Sequence, residues 1–203
     1  MEKEFFGLLS GGIVIASIIP YAIRTYQRKI MPNPTSWMLW TLINFAILLT
    51  YRSSGALANV WPAVFGVTNP LLIAIFLVKN RATWKKFERF EYACLAVGIV
   101  SLAMWWCMHE SRTMVQYALY MAILADACAA TPTVAFTWRF PEKERPFAWG
   151  LFALGYGVGM FAVSEHTVAN YALPAYMFLG ASFITVPLVR HRLKNRAPLK
   201  EWI

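Results

Sequence analysis

Hydrophobic residues along this chain fall into seven long runs that are separated by short polar or basic segments. The runs cover approximately residues 5–23, 36–51, 60–78, 92–108, 115–134, 147–163 and 171–189. Each approaches the roughly 17–25 mostly apolar residues that a helix needs to cross a bilayer, although the second and sixth runs are short. We therefore predict an all-α integral membrane protein with seven transmembrane helices, here called spans one to seven.

Composition supports the same class of protein. Hydrophobic residues make up 59% of the 203 positions and charged residues only 14%, whereas a soluble domain is about 45–50% apolar. The segments between the predicted spans are too short to hold a soluble domain. The lipid bilayer is thus the expected surroundings, and any function must lie inside the helix bundle or at its two ends.

The basic residues are distributed unevenly between the connecting segments. Of the 19 Lys and Arg residues, only Lys3, Arg52 and Arg112 do not follow an odd-numbered span. The others are Arg24, Arg28, Lys29, Lys79, Arg81, Lys85, Lys86, Arg89, Arg139, Lys143, Arg145, Arg190, Arg192, Lys194, Arg196 and Lys200. Because Lys and Arg are enriched on the cytoplasmic side, this pattern predicts an outside N-terminus and a cytoplasmic C-terminus in the cell (inner) membrane. It also explains the net charge of +9 without a nucleic-acid partner.

The segment around the end of span one recurs around the end of span five. A constant shift of 112 carries residues 16–80 onto 128–192 without a gap, and it matches Pro20 with Pro132 and Trp37 with Trp149. We interpret this as a duplication, with a first three-helix repeat over 1–80, a linker helix over 81–112 and a second three-helix repeat over 113–203 that ends in a basic tail. One helix between the repeats gives both the same orientation in the membrane.

Prolines and glycines mark special points in the predicted helices. Pro20 and Pro132 each remove a backbone hydrogen bond near the cytoplasmic end of the first helix of a repeat, where the helix either bends or stops. The start of span two is predicted to be capped by Thr35 or Ser36. The glycines of span six, at 155, 157 and 159, predict close approach to a neighbouring helix.

A few polar side chains lie at depth within the predicted spans. Asn44 lies near the middle of span two, and Asn69 lies in span three beside Thr68 and before a proline. Each amide either bonds to a neighbouring helix or contributes to a solute site. Asp126 is the only acid within a span, and such residues mark routes for protons, ions or polar solutes because a charge there costs about 2.5–3.5 kcal/mol or more. The alternatives are a protonated Asp126 bonded to another helix, or a carboxylate nearer the surface than the span assignment implies.

Residues suited to catalysis are not grouped in this sequence. The three histidines, at positions 109, 166 and 191, fall in loops or at helix ends, and no metal-ligand spacing or nucleophile–base set is visible. A retinal protein would need a lysine inside a span, and none of the predicted spans contains one. We therefore expect neither an enzyme nor a bound cofactor.

The layout resembles the SWEET and PQ-loop superfamily of membrane transporters. Pro20 and Pro132 match the prolines of that family's Pro-Gln motifs, with other residues in place of the glutamines. Asn69, in Gly66-Val67-Thr68-Asn69, is similar to the SWEET-type asparagine of the third helix, whereas Ala181 stands at its counterpart in the seventh. Trp37-x-x-Trp40 is similar to a motif of the related vitamin-uptake family that takes nicotinamide riboside.

This resemblance implies a transporter that moves a small polar, sugar- or vitamin-like metabolite by alternating access, either as a facilitator or coupled to protons. The expected solute-site residues are Asn69, Asp126, Asn44 and Thr68, and the expected hinges are Pro20 and Pro132. One alternative is a sorting or signalling receptor of similar architecture, as KDEL receptors are, which binds a ligand without net transport. Another is a structural membrane protein without a ligand. The chain would work as a monomer or as a homo-oligomer.

Overall fold

A computed structural model describes residues 1–30, 32–84, 86 and 88–202 of the chain. The described residues form seven α-helices and several short 3-10 turns, and no β-strand occurs among them. The helices are α1 (Glu2–Tyr26), α2 (Pro34–Ser53), α3 (Trp61–Lys79), α4 (Arg89–Met108), α5 (Arg112–Arg139), α6 (Pro146–Gly159) and α7 (Val168–Lys194). The predicted all-α class is confirmed. Lys85, one of the residues used to predict orientation, lies outside the described residues.

Five of these helices are long and apolar enough to cross a membrane, namely α1, α3, α4, α5 and α7. Helix α6 and the 3-10 turn that continues it, Met160–Ala162, form a shorter apolar helix. Helix α2 is 20 residues long, but polar residues such as Asn44 and Thr50 lower its hydropathy. Several long apolar helices of this kind indicate integration into a membrane.

For description we call α1, α2 and α3 the first group of helices and α5, α6 and α7 the second group. Helix α3 contacts both α1 and α2, and α7 contacts both α5 and α6. The two groups meet where α1 packs against α6 and where α2 packs against α5. Helix α4 packs against α5 and α2.

Small residues bring α1 and α6 close together. A Cβ atom added at Gly155 would lie only 2.6 Å from Val14 Cγ2, and one added at Gly159 would lie 2.8 Å from Ser10 Oγ. The Ser10 hydroxyl donates a hydrogen bond to the Gly155 carbonyl oxygen at 2.6 Å. The close approach that the glycines of span six predicted is therefore confirmed: α1 approaches Gly155 and Gly159, and Phe178 of α7 approaches Gly157.

The segments that follow α1, α3, α5 and α7 lie at one end of the bundle, which we call the basic end. Asn80 Nδ2, after α3, donates to the Thr25 carbonyl oxygen at 2.6 Å, and Arg28 Nε donates to Asn80 Oδ1 at 3.3 Å. On the other group, Arg145 Nη1 donates to the Lys200 carbonyl oxygen at 2.7 Å. Two pairs of odd-numbered helices thus end together, as the charge pattern requires.

Hydrogen bonds from Arg192 connect the tail after α7 to the segment between α5 and α6. Its side chain is only 3% exposed. Its guanidinium donates to four backbone carbonyl oxygens, those of Pro141, Glu144, Leu188 and Glu201. These bonds satisfy a buried cation that forms no ion pair within the described residues.

Polar contacts also tie the two groups together at the opposite end of the bundle. The Tyr51 hydroxyl, in α2, donates to the Asn170 carbonyl oxygen in α7 at 2.7 Å, and Asn59 Nδ2 donates to the Tyr51 hydroxyl at 2.5 Å. Arg112 Nη1 forms an ion pair with a carboxylate oxygen of Glu165 at 3.2 Å. We call this part of the molecule the opposite end.

The structure decides two local questions about helix ends. Of the two alternatives for Pro20 and Pro132, a bend or a stop, the stop is excluded, because α1 continues past the proline to Tyr26 and α5 continues to Arg139. The predicted cap of span two is wrong. At the start of α2 the cap is Asn33, whose Oδ1 accepts from the backbone N–H of Thr35 at 3.1 Å. Neither Thr35 nor Ser36 can cap, because the helix already begins at Pro34, whose ring favours the first helical position.

Candidate functional site

A buried polar cluster joins α2, α5 and α7 in the apolar interior. Asp126, 8% exposed, accepts a hydrogen bond from Asn44 Nδ2 at its Oδ1 (3.3 Å) and one from the Tyr176 hydroxyl at its Oδ2 (2.8 Å). Asn44 Nδ2 also donates to the Trp40 carbonyl oxygen of its own helix at 3.0 Å. We call Asn44, Asp126 and Tyr176 the Asp126 cluster. It brings together two of the predicted site residues.

The local sequence of α5 explains why Asp126 points into the protein. Ala118 and Ala122 lie two turns and one turn before Asp126 on the same side of the helix, and both are fully buried. Ala125, beside Asp126, is also fully buried. Because these side chains are small, α5 packs closely against its neighbours, and the carboxyl group that follows enters the core instead of the lipid.

Asn69 forms a second buried polar contact, between α3 and α1. Its side chain is 4% exposed, and its Nδ2 donates to the Val14 carbonyl oxygen at 3.0 Å. Its Oδ1 has no hydrogen-bond partner among the described residues. Thr68, which was predicted to join it, donates instead to the Phe65 carbonyl oxygen of its own helix at 2.8 Å. Among the described residues, Thr68 therefore forms no side-chain hydrogen bond to another predicted site residue.

Gly66 connects the two polar contacts, because it lies one turn before Asn69 in α3. A Cβ atom added at Gly66 would lie 2.6 Å from the Tyr156 hydroxyl oxygen and 3.7 Å from Asn44 Oδ1. Tyr156, in α6, is 1% exposed and donates to the Pro62 carbonyl oxygen at 3.2 Å. Helices α2, α5, α6 and α7 thus place polar side-chain atoms in one region of the interior, and Gly66 of α3 lies beside it.

Sequence reasoning missed the two tyrosines, Tyr156 and Tyr176. In an apolar helix, the sequence does not show whether a tyrosine is a core residue or a polar site residue, because its ring packs like phenylalanine and its hydroxyl needs only one partner. The shift of 112 did contain a signal for one of them, since it places Tyr156 at the position of Asn44. The same shift places Asp126 at the position of Val14. Under the predicted repeat, extended from residue 16 to Val14, the bonds Asn69–Val14 and Tyr176–Asp126 both tie the third helix of a group to equivalent points on the first.

The chemical character of this region is that of a hydrogen-bond acceptor. Asp126 has no ion-pair partner in the described part of the chain, where Arg112 and Glu165 form the ion pair. Its two bonds come from neutral donors, and the Asn69 Oδ1 is free to accept. Such a region can bind O–H or N–H groups of a solute, or a proton. Within the described ranges, no three His, Cys, Asp or Glu side chains come together as metal ligands would.

A cavity of about 320 Å³ lies at the basic end, where α1 meets the segment between α5 and α6. It is lined by Pro20, Tyr21, Arg24, Ile30, Pro32, Lys143, Glu144, Arg145, Phe147 and Ala148. One wall therefore belongs to the first group of helices and the other wall to the second. Burial raises the pKa of Glu144 above its ordinary range, against the opposing effect of nearby arginines.

Aromatic side chains extend from this cavity toward the Asp126 cluster. The rings of Tyr21 and Trp37 have centroids 5.2 Å apart, and those of Trp37 and Trp40 are 5.4 Å apart in an edge-to-face arrangement. The Trp40 carbonyl oxygen then accepts the hydrogen bond from Asn44. A continuous set of contacts thus joins the predicted hinge region around Pro20 to the buried acid.

Comparison with protein-family models, with characterised proteins and with solved structures finds no match to this chain. The residues and their geometry therefore carry the functional assignment. The strongest element is the Asp126 cluster, because it combines a buried carboxyl group, neutral hydrogen-bond partners and a position between the two helix groups.

Proposed function

We propose that this protein is a seven-helix membrane transporter that moves a small polar, sugar- or vitamin-like metabolite by alternating access. In this proposal α2 and α6 also cross the membrane, and the two groups of three helices are parallel repeats. The observation that carries the proposal is the Asp126 cluster, in which Asn44 of the first group contacts Asp126 of the second inside the apolar core. A solute held there lies between two bodies that can move relative to each other.

The helix packing supports the repeat. Under the shift of 112, α1 corresponds to α5 and α2 corresponds to α6. The contact of α1 with α6 is then the counterpart of the contact of α5 with α2, as a twofold relation between the groups requires. Parallel repeats related in this way, with a site at their interface, are a common architecture of secondary transporters.

The two ends of the bundle differ in how tightly the groups are joined. At the opposite end, the Tyr51 hydroxyl bonds directly to the Asn170 backbone across the groups. At the basic end, a cavity separates Arg24 of the first group from Arg145 of the second. This difference supports a state that opens toward the basic end. The charge pattern assigns that end to the cytoplasm, so the proposed state is inward-open.

The cavity at the basic end favours one second candidate, a receptor that binds a ligand without transporting it. Its lining includes the cationic side chains of Arg24, Lys143 and Arg145 and lies apart from the Asp126 cluster. A ligand with an anionic group could bind there and shift the balance between conformations. Receptor and transporter differ in one measurable property, which is net flux.

The test begins with a thermal-shift screen of sugars, vitamins and amino acids, because a ligand that binds the folded state raises the melting temperature. Uptake of the ligand found is then measured in proteoliposomes. We expect Asn69→Ala and Asp126→Asn to reduce uptake far more than they reduce folded yield. The control is Thr131→Val, since Thr131 is an exposed residue of α5 whose hydroxyl bonds only to its own helix at the Ala127 carbonyl.

Asp126→Asn also separates two transport mechanisms. The amide keeps a hydrogen-bonding group beside Tyr176 but cannot take up a proton. Loss of pH-dependent uptake with ligand binding retained would indicate proton coupling. Uptake equal to that of the parent in both Asn69→Ala and Asp126→Asn would refute the site, and ligand binding with no flux in the parent would identify a receptor.

A further inference from the structure

An open groove of about 590 Å³ runs between α6 and α7 on a side of the bundle away from the Asp126 cluster. Its lining comprises Gly150, Ala153, Leu154, Phe178, Ser182, Thr185, Val186, Val189, Arg190 and Leu193. The volume falls within the roughly 300–1,000 Å³ of ordinary ligand pockets. Apart from Arg190 and two hydroxyl groups, the lining is apolar.

Small residues on α6 create the groove. A Cβ atom added at Gly150 would lie 3.6 Å from Thr185 Cγ2, so the two helices are in contact at the floor of the groove. The Thr185 hydroxyl donates to the Ala181 carbonyl oxygen of its own helix at 2.7 Å. Its methyl group is therefore what approaches α6 there, and its hydroxyl needs no partner from a ligand.

The groove follows the axis of α7 for about 22 Å, because the lining residues run from Phe178 to Leu193 and each residue of an α-helix adds about 1.5 Å. One leaflet of a bilayer core is about 15 Å thick, half of the roughly 30 Å total. The groove therefore has the direction of an acyl chain and is long enough to reach the head-group region. Its apolar rim is open, with Leu154 51% and Val186 54% exposed.

Arg190 lies at the end of the groove nearest the basic end. It is exposed and has no hydrogen-bond or ion-pair partner within the described part of the chain. Arg192, two residues later, is in contrast buried and bonded to four carbonyl oxygens. The cation beside the groove is thus the one that is free to bind an anion.

We propose that this groove binds a phospholipid with an anionic head group, with an acyl chain along α6 and α7 and the phosphate at Arg190. A second copy of the chain fits the charges less well. Two copies related by an axis along the membrane normal would place their basic ends side by side, and each Arg190 would meet further cations. An anionic lipid instead neutralises Arg190 where the apolar groove ends.

The test uses the purified, delipidated protein in mild detergent and native mass spectrometry. Phosphatidylglycerol and phosphatidylcholine with identical acyl chains are titrated in parallel. We expect about one phosphatidylglycerol to bind, with an apparent affinity about fivefold higher than that of phosphatidylcholine, which corresponds to roughly 1 kcal/mol for one basic residue at a membrane surface. Equal affinities for the two lipids in the parent protein would overturn the proposal.

Two variants locate the site. Arg190→Gln should abolish the preference for phosphatidylglycerol while leaving the weaker chain-dependent binding of both lipids. Val186→Trp should weaken binding of both, because a ring at the open rim covers the groove without entering the core. The control Arg139→Gln removes an exposed cation from the end of α5, on another helix, and should keep the fivefold preference.

The side chains of Val186 and Arg190 are both exposed, so each variant should fold, and its elution volume checks this directly. If the preference for phosphatidylglycerol were lost in Arg139→Gln but retained in Arg190→Gln, the anionic lipid would bind elsewhere on the protein. A mass of two chains without bound lipid, lost in Val186→Trp, would assign the groove to a second copy and refute the lipid site. None of these outcomes depends on whether the protein transports a solute.

Discussion

Gly155→Ala should destabilise the protein by forcing α1 and α6 apart. The new methyl group would lie 2.6 Å from Val14 Cγ2, which is 0.8 Å short of the 3.4 Å at which ordinary contact begins. It would also lie 3.1 Å from the Val14 backbone nitrogen and 3.2 Å from the Ser10 carbonyl oxygen. Rotation of the Val14 side chain relieves only the first of these contacts, because the other two involve backbone atoms.

The expected cost follows from three effects. Overpacking a filled interior costs about 1–3 kcal/mol. Moving the helices apart also weakens the bond from the Ser10 hydroxyl to the Gly155 carbonyl, and such interhelical bonds contribute about 0.6 kcal/mol on average in a membrane. Alanine recovers up to about 1 kcal/mol through its higher helix propensity. The balance is a loss of roughly 1–2 kcal/mol in the free energy of unfolding.

Two other glycines provide matched controls in the same class of helix. Gly12 in α1 and Gly180 in α7 have no atom within 4 Å of an added Cβ. Gly12→Ala and Gly180→Ala should therefore leave stability unchanged or raise it. The assay is thermal unfolding in detergent, which is monitored as the loss of the monodisperse elution peak after heating. A midpoint for Gly155→Ala equal to or above that of Gly12→Ala would refute the close contact of α1 with α6.

Two further predictions concern motion and orientation. Pro20→Ala and Pro132→Ala each restore a potential backbone hydrogen bond inside a helix. Ligand binding and folded yield should persist in both variants, but the transport rate should fall. A bias of about 1.4 kcal/mol toward the inward-open or the outward-open state changes the ratio of the two roughly tenfold and makes one of them scarce. Transport rates equal to the parent in both variants would show that these prolines are not hinges. A reporter fused after position 203 should be cytoplasmic and one inserted within residues 164–170 should be outside, and finding both on the same side would refute seven crossings.

Much of the secondary structure could be predicted because helices in a membrane are encoded locally. Every predicted run overlaps an observed helix, since some 20 apolar residues together leave the backbone no other way to satisfy its hydrogen bonds there. The helix ends were less predictable. Helix α5 continues to Arg139, beyond the predicted end at about residue 134, because Pro132 is accommodated inside the helix and not at its end.

The candidate site was predictable as individual residues and not as an arrangement. Asn44, Asn69 and Asp126 stood out because buried polar groups at that depth are costly. Which of them meet depends on how the helices rotate against one another, and a single sequence does not encode that rotation locally. Tyr176 became the partner of Asp126 only through the packing of α7 on α5. Thr68 could bond within its own helix, an option that hydroxyl groups in helices always have.

The two interfaces between the helix groups differ in a way that suits alternating access. Helices α1 and α6 meet through glycine and a short backbone-directed bond from Ser10, so little sliding is possible there without steric clash. Helices α2 and α5 meet at the Asp126 cluster, where the bond from Asn44 is longer, at 3.3 Å, and the Asn44 side chain is only partly buried. In the proposed mechanism the close contacts of Ser10 and Val14 with α6 are therefore the pivot, and the groups open at the basic-end cavity and at the Asp126 cluster. In that mechanism a solute O–H or N–H group replaces Asn44 as the donor to Asp126. The Asp126 carboxyl group would then hold the two helix groups together when the site is empty and bind the solute when it is occupied.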